Sequence, residues 1–130
     1  MTNPMLKVLT KRSDFLAANK GLRNARPGFV LLTRTNGEEG MRFGITVTKK
    51  IGNAVVRNRM KRRFRELLRA ALPENGLPNT DHVLIGRAGG VERDFAAMEA
   101  ELHQALSRAA EGKGDARRSR YGGPKKGRRK

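Results

Sequence analysis

The sequence predicts one small domain that mixes helices and strands, in the order helix, strand, strand, helix, strand, helix. Three observations carry this prediction. Apolar runs bounded by turn residues mark the strands, apolar residues three and four positions apart mark the helices, and 130 residues is a usual length for one domain. We expect a sheet of three to four strands, a folded domain over residues 1–111 and a disordered basic tail over residues 112–130.

The N-terminal part of the chain predicts a short helix. Residues 1–12 read as extended and loosely held. Ser13 suits the N-cap of a helix over residues 14–20, and Gly21 suits its C-terminal end. Phe15 lies in the first turn of this helix, where we expect it to face the domain.

Strand signals follow the first helix. Residues 22–28 predict a loop or a short edge strand, and the apolar runs 29–34 and 43–48 predict two longer strands. Asn36 and Gly37 form a turn signal between these two runs. We therefore expect the two strands to pair as a hairpin.

The second half of the chain predicts a long helix, a strand and a last helix. Asn53 suits the N-cap of the long helix, and Pro73 should end it. The mostly apolar run 82–87 predicts a strand in the centre of the sheet, and apolar spacing over residues 91–109 predicts the last helix.

The long helix is apolar on one face and basic on the adjoining one. At about 100° per residue, one arc collects Val56, Met60, Phe64, Leu67, Leu68 and Ala71. The adjoining arc collects Asn58 and seven basic residues: Arg57, Arg59, Lys61, Arg62, Arg63, Arg65 and Arg69. Glu66 is the one acid between residues 53 and 70, whereas a solvated helix face normally mixes the two signs of charge. We interpret this face as a polyanion-binding surface; a solvated charged face is the alternative.

Overall charge supports a nucleic-acid partner. The chain has 29 Lys and Arg against 12 Asp and Glu, a net charge of +17, which attracts phosphate polymers. It has no cysteine, so disulfides and thiolate metal sites are excluded. We see no membrane span and no signal peptide, and we expect a cytoplasmic protein without a membrane partner.

Catalysis by the chain's own side chains finds little support. The two histidines, His82 and His103, are isolated, and the acids are scattered. The H-E-x-x-H, Walker-type and G-x-S-x-G motifs are absent, and no paired carboxylates are evident. We predict no catalytic residue and no metal site. Binding finds more support, because Lys49 and Lys50 precede the N-terminus of the basic helix, whose exposed N–H groups also favour phosphate.

Residues 48–66 read TKKIGNAVVRNRMKRRFRE. This combination of K-K, G-N-A and R-N-R followed by K-R-x-x-R resembles the signature of the bacterial ribonuclease P protein subunit. The resemblance covers roughly residues 5–108. It implies an α+β fold similar to the second domain of ribosomal protein S5, with the basic helix in a left-handed β-α-β crossover. That handedness is rare, and the residues alone do not predict it.

The resemblance also implies a function. Family members bind a catalytic RNA and the 5′ leader of precursor tRNA, and they assist magnesium-dependent endonucleolytic removal of the leader. The RNA carries the chemistry and the magnesium ions, so no cofactor is expected on the protein alone, and one protein is expected per RNA. The residues assigned to the catalytic RNA are Arg57, Asn58, Arg59, Lys61, Arg62 and Arg65. The residues assigned to the leader cleft or its surroundings are Phe15, Asn19, Leu32, Lys49, Lys50 and Arg87.

Two positions depart from the family pattern, since Asn19 and Leu32 stand where aromatic residues are common. Stacking of a base on an aromatic ring contributes roughly 1–3 kcal/mol. We therefore expect a cleft that stacks bases weakly and relies more on charge. A general RNA-binding or ribosomal-type protein without a role in cleavage is the alternative function, and a DNA-binding domain that places the basic helix in a major groove is a third.

Overall fold

A computed structural model describes residues 7–115 and arranges them as a five-stranded mixed sheet with three α-helices. The elements in chain order are β1 (Lys7–Val8), α1 (Arg12–Ala18), β2 (Leu22–Ala25), β3 (Phe29–Thr35), β4 (Arg42–Thr46), α2 (Ala54–Asn75), β5 (Thr80–Gly86) and α3 (Phe95–Ala110). Two short 3-10 helices cover Lys49–Ile51 and Ala88–Gly90. The α+β class is confirmed, and two short edge strands, β1 and β2, raise the strand number to five.

The sheet order is β1-β4-β5-β3-β2, so the apolar strand β5 lies in the centre as expected. The predicted hairpin between β3 and β4 is wrong, because β5 lies between them, antiparallel to β3 and parallel to β4. A strand that is apolar on both faces is best covered in the centre of a sheet. The β3–β4 connection passes the start of β5, where the Asn36 amide donates to Asp81 Oδ1 at 2.8 Å.

Strands β4 and β5 are parallel neighbours joined through α2. Parallel neighbours need a long crossover connection, and α2 supplies it here. This is the β-α-β unit that the family resemblance implies. Its handedness stays a prediction.

The sheet is covered on both faces. The larger core lies under α2 and α3 and includes Phe29, Leu31 and Leu84, while the smaller core lies under α1 and includes Val30 and Leu32. Neighbouring residues of β3 therefore serve opposite cores, as the two-residue period of a strand requires. The face under α1 also contains a cleft between this helix and the sheet.

The ends of α2 follow the sequence signals in part. Asn53 caps the helix as predicted, because its side-chain oxygen accepts the backbone N–H of Val56 at 3.0 Å. The helix continues past Pro73 to Asn75, so the predicted stop is two residues too early. Proline has a helical φ, but it removes its own N–H donor and its ring crowds the carbonyl of Arg69 four residues earlier. Only two residues of the helix follow Pro73, so the disturbance is confined to the last turn. The N–H of Gly76 then closes the helix on Leu72 O at 2.8 Å.

The other boundaries differ by a few residues. Helix α1 starts at Arg12, and Ser13 is not its cap, since Lys11 occupies the N-cap without a side-chain hydrogen bond. Helix α3 starts at Phe95 rather than at residue 91, because Asp94 caps it by accepting the N–H of Ala97 at 3.1 Å.

Two segments expected to be loose contact the sheet. Residues 7 and 8 pair with β4, and Leu9 is buried, so the expectation of a loosely held N-terminus is wrong for these residues. Residues 113–115 lie against β2, whereas residues 116–130 lie outside the described part of the chain. The domain boundary at residue 111 stays a prediction. Over residues 7–115, no helix is both long and apolar enough to cross a membrane.

Candidate nucleic-acid interface

The apolar stripe of α2 faces the core as predicted. Its buried residues are Met60, Phe64, Leu67, Leu68, Ala71 and Leu72, and Val56 is half-buried. Phe64 is completely buried and meets the ring of Phe29 edge-on, with centroids 6.2 Å apart. This packing holds the helix in one rotational setting, so its other face must point away from the sheet.

We call the six candidates for catalytic-RNA binding on α2 the basic arc: Arg57, Asn58, Arg59, Lys61, Arg62 and Arg65. Four of them are exposed, while Arg57 and Lys61 are half-buried. Within residues 7–115, no cation of the basic arc has a carboxylate oxygen within 4.0 Å. Arginine forks without a carboxylate partner are suited to phosphate oxygens.

Two arginines of α2 donate hydrogen bonds to backbone carbonyl oxygens of the domain. Arg57 donates from Nε to the carbonyl oxygen of Gly52 at 3.2 Å, so it also supports the start of the helix. Arg63 donates to the carbonyl oxygens of Val91 at 3.2 Å and Arg93 at 2.6 Å, and its guanidinium lies 5.9 Å from the ring centroid of Phe95. The expectation that Arg63 widens the exposed charged face is therefore wrong, because its donors join α2 to the segment before α3.

A cleft of about 510 Å³ lies between α1 and the sheet. Its lining residues are Thr10, Arg12, Phe15, Leu16, Asn19, Leu32, Ile45, Thr46, Val47, Lys61, Val83 and Ile85. Three residues assigned to the leader cleft from the sequence, Phe15, Asn19 and Leu32, are among them. Lys61 of the basic arc is also among them, so the arc and the cleft meet at this residue.

The remaining leader candidates lie beyond the cleft lining. Lys49 and Lys50 are exposed in the connection after β4, and Arg87 is exposed directly after β5. Because β4 and β5 are parallel neighbours, their C-terminal ends share one end of the sheet. Thr46 and Ile85, the cleft residues at these strand ends, are close in sequence to the three cations. The three cations therefore lie at the end of the sheet where Thr46 and Ile85 line the cleft, and the Arg87 side chain donates to Arg26 O at 3.1 Å.

Gly44 is a residue of the cleft region that the sequence reasoning missed. A Cβ atom at Gly44 would lie 2.6 Å from Cε1 and 2.7 Å from Cζ of Phe15. The glycine thus lets the ring of Phe15 lie directly on the backbone of β4. A glycine inside a strand often marks such a close approach, and this was the available signal.

An ion-pair network fixes α1 on the sheet. Arg42 on β4 donates to both carboxylate oxygens of the buried Asp81, at 2.7 and 3.0 Å, and its Nη1 lies 3.7 Å from Asp14 of α1. Burial raises the pKa of Asp81, but hydrogen bonds from Arg42 and Asn36 outweigh it, and the pKa lies below its ordinary value. This network was not predicted, because its members are distant in sequence.

His82 is buried, and both of its ring nitrogens form hydrogen bonds with the backbone. Its Nε2 accepts the N–H of Leu77 at 3.1 Å, so Nδ1 carries the proton and donates to Arg42 O at 3.0 Å. Burial lowers the pKa of His82 below its ordinary value of 6.5. Among the residues that the structure describes, no group of three or more His, Cys, Asp or Glu side chains could hold a metal ion.

Known proteins that resemble this chain belong to one family. The family model described as Ribonuclease P matches residues 4–110. The Ribonuclease P protein component of Erythrobacter litoralis is 69% identical over 113 residues, which cover 87% of this chain and 93% of the relative. The corresponding protein of Ruegeria pomeroyi is 46% identical and covers 78% of this chain and 84% of its own length.

Solved structures share the fold. The RNase P protein of Staphylococcus aureus superimposes with a TM-score of 0.68 at 30% identity, over 82% of this chain and 97% of that protein. The RNase P protein of Thermotoga maritima gives a TM-score of 0.66 at 33% identity, over 78% and 96% of the two chains. The family match over most of the chain, together with these relatives, shows that the chain belongs to the ribonuclease P protein family.

Proposed function

We propose that this chain acts in tRNA 5′ processing by binding the ribonuclease P RNA through the basic arc and the 5′ leader of precursor tRNA through the cleft between α1 and the sheet. The observation that carries this proposal is the meeting of the two surfaces at Lys61, which belongs to α2 and also lines the cleft. A protein with this arrangement can hold two RNA segments close together.

In this proposal the basic arc binds the phosphates of the RNA. Its cations have no carboxylate within 4.0 Å in the described part of the chain, so RNA phosphates meet them without displacing an acid. Counterions released from the RNA then favour binding, most strongly at low salt. The buried face of α2 keeps the spacing of these cations constant.

The cleft suits a single strand. Its floor is apolar, with Leu32, Val83 and Ile85, and Arg12 and Lys61 add positive charge. Phe15 is the one aromatic residue of the lining, and the exposed Leu16 adds apolar surface. A base can stack on Phe15 while neighbouring phosphates meet the cations.

Cleavage in this proposal is performed by the RNA. The ribonuclease P RNA supplies the magnesium-dependent chemistry. Magnesium prefers oxygen ligands, and the basic arc carries cations and one amide, so the arc does not suit this ion. The protein contributes by orienting the leader and by reducing repulsion between two polyanions.

Cleavage of a precursor tRNA by the partner RNA at low magnesium, with and without the protein, tests this function. We expect protein-dependent maturation at the correct 5′ end. Arg62→Gln should weaken the stimulation, whereas Arg34→Gln removes the same charge from an exposed site on β3 and should not. Absence of stimulation, combined with equal binding to unrelated structured RNAs, would instead favour the general RNA-binding function.

A further inference from the structure

Strand β4 presents three alternate residues to helix α1 and to the cleft. Nη1 of Arg42 lies 3.7 Å from Oδ2 of Asp14 on α1. Two residues further on, the backbone of Gly44 lies against the ring of Phe15, and Thr46 then lines the cleft. Alternate residues of a strand point to the same face. One face of β4 therefore carries, in order, an attachment for α1, a contact for its aromatic ring and a lining residue of the cleft.

Arg42 is held in place independently of α1. Its Nε and Nη2 donate to the two carboxylate oxygens of Asp81, which is completely buried. The amide of Asn36 donates to Asp81 Oδ1 at 2.8 Å and to Gly40 O at 2.9 Å, so the carboxylate is held from a second side. A two-pronged contact of this kind leaves the guanidinium little freedom. Its remaining nitrogen, Nη1, is therefore a fixed point on the sheet for Asp14.

Helix α1 depends on such a fixed point at its N-terminal end. The helix has seven residues, and Lys11 at its N-cap makes no side-chain hydrogen bond. Helices this short are marginal alone in water, so contacts with the sheet set the position of α1. Ala18 near the C-terminal end is completely buried. At the N-terminal end, the contact between Asp14 and Arg42 is the one ion pair that α1 forms within residues 7–115.

Phe15 directly follows Asp14 in the first turn of α1, so the two residues move together. The chain enters the helix from Leu9, whose N–H donates to Phe43 O at 2.8 Å. Without the ion pair we therefore expect α1 to rotate rather than to detach from the sheet. A rotation carries the half-buried ring of Phe15 away from Gly44 and changes the shape of the cleft that this ring lines.

We propose that Asp14 is a positioning residue for leader binding, which holds α1 on the sheet through Arg42 and Asp81 so that the ring of Phe15 faces the base that stacks on it. The inference rests on the proposed function, because it assumes that the leader occupies the cleft. A carboxylate repels phosphate, so Asp14 can favour leader binding only through the position of the helix. The sign of its effect on RNA affinity is therefore diagnostic.

Asp14→Asn tests this role with opposite expectations. The change removes a negative charge, so attraction by overall charge predicts tighter binding of precursor tRNA, whereas a displaced ring predicts weaker binding. Loss of a partly exposed ion pair shifts an equilibrium by about two- to fivefold. We expect the assembled ribonucleoprotein to lose about this factor in affinity for precursor tRNA and none for mature tRNA. Glu38→Gln removes the same charge from the exposed connection between β3 and β4 and should not weaken binding.

Two further variants separate the pairing with Arg42 from charge near the helix. Asp14→Glu keeps a carboxylate within reach of Arg42 and should retain most of the affinity for precursor tRNA. Adding Ser13→Asp to Asp14→Asn restores an acid to the first turn of α1, where it favours the helix dipole, but one position away from Arg42. This addition should not restore the affinity. Urea unfolding shows that each variant is folded, and lower stability alone does not change the ratio of precursor to mature tRNA affinity.

The position of the ring is measured without RNA. The α-protons of Gly44 lie beside the ring of Phe15, so their NMR chemical shifts report its position. Asp14→Asn should change these shifts, and Glu38→Gln should not. Unchanged shifts or unchanged precursor affinity in Asp14→Asn, or recovery on adding Ser13→Asp, would overturn the positioning role. Equal affinity of the unsubstituted ribonucleoprotein for precursor and mature tRNA would count against the proposed function instead, and the Gly44 shifts would still show whether Asp14 holds the ring.

Discussion

Replacing Gly44 with alanine would place a methyl group against the ring of Phe15. The added Cβ would lie 2.6 Å from Cε1 and 2.7 Å from Cζ of the ring, and 3.2 Å from Cδ1 of Leu9. Ordinary contact between carbon atoms is about 3.5–4.0 Å. The ring must therefore move by about 1 Å, by the difference between these distances. It can move only away from β4, because the backbone of the strand is the floor beneath it.

The expected cost is moderate for stability and larger for leader binding. Overpacking in a core usually costs about 1–3 kcal/mol. Phe15 is half-buried and borders the open cleft, so we expect a loss near 1 kcal/mol in the free energy of unfolding. The displaced ring enters the space proposed for a base. Losing one stacked base costs roughly 1–3 kcal/mol, which corresponds to a decrease of about 5- to 150-fold in leader-dependent affinity.

A double-mutant cycle measures this contact. Urea unfolding and the binding of precursor and mature tRNA by the assembled ribonucleoprotein are compared for Gly44→Ala, Phe15→Ala and the double variant. The double variant should recover stability relative to the sum of the single effects, because the methyl group then meets no ring. It should not recover leader affinity. Strict additivity of the two stability effects would refute the close contact between residue 44 and Phe15. Unchanged leader affinity for Gly44→Ala would refute the role of the Phe15 ring in leader binding.

Three further predictions concern the core, the acid range and the cleft. Phe64→Ala should lower the free energy of unfolding by about 3–5 kcal/mol, whereas Arg62→Ala should reduce RNA affinity with little loss of stability. Equal decreases in melting temperature for the two variants would contradict the assignment of the buried and exposed faces of α2. Burial lowers the pKa of His82 in the folded chain below its ordinary value of 6.5. As the pH decreases, His82 therefore binds a proton in the unfolded chain at a higher pH than in the folded chain. Stability present above about pH 6.5 should fall as the pH decreases through the folded pKa. Urea midpoints at pH 7.5 and 5.5 check this. Asn19→Phe should strengthen leader binding by adding a stacking ring; an unchanged or lower affinity would show that this position does not meet a base.

Asp81 contributes to the pH dependence in a separate range. Its folded pKa lies below the ordinary value of 3.8, so its stabilising effect is present above about pH 4 and is lost only under more acidic conditions. The decrease in stability between pH 6.5 and 5.5 is therefore assigned to His82. This separation makes the histidine test specific.

Local sequence patterns specify the character of each main element. The three- and four-residue spacing in α2 predicted which face is buried, and burial of Met60 and Phe64 confirms it. The apolar run around Leu84 predicted a central strand, and β5 is central. These properties depend on local periodicity and composition, which are readable without knowing what packs against them. The motif around Arg57, likewise contiguous, was sufficient for the family.

The contacts between residues distant in sequence follow from the packing of the whole domain. This packing inserted β5 between β3 and β4, directed Arg63 to the segment before α3, and joined Arg42 to Asp81 and Asp14. It also brought Lys61 into the cleft lining and Asp115 onto the edge of β2. Such contacts depend on the pairing of strands and on how helices pack over both faces of the sheet. No local pattern encodes them, because many chain paths satisfy the same periodicities and one is selected by the packing of the whole domain.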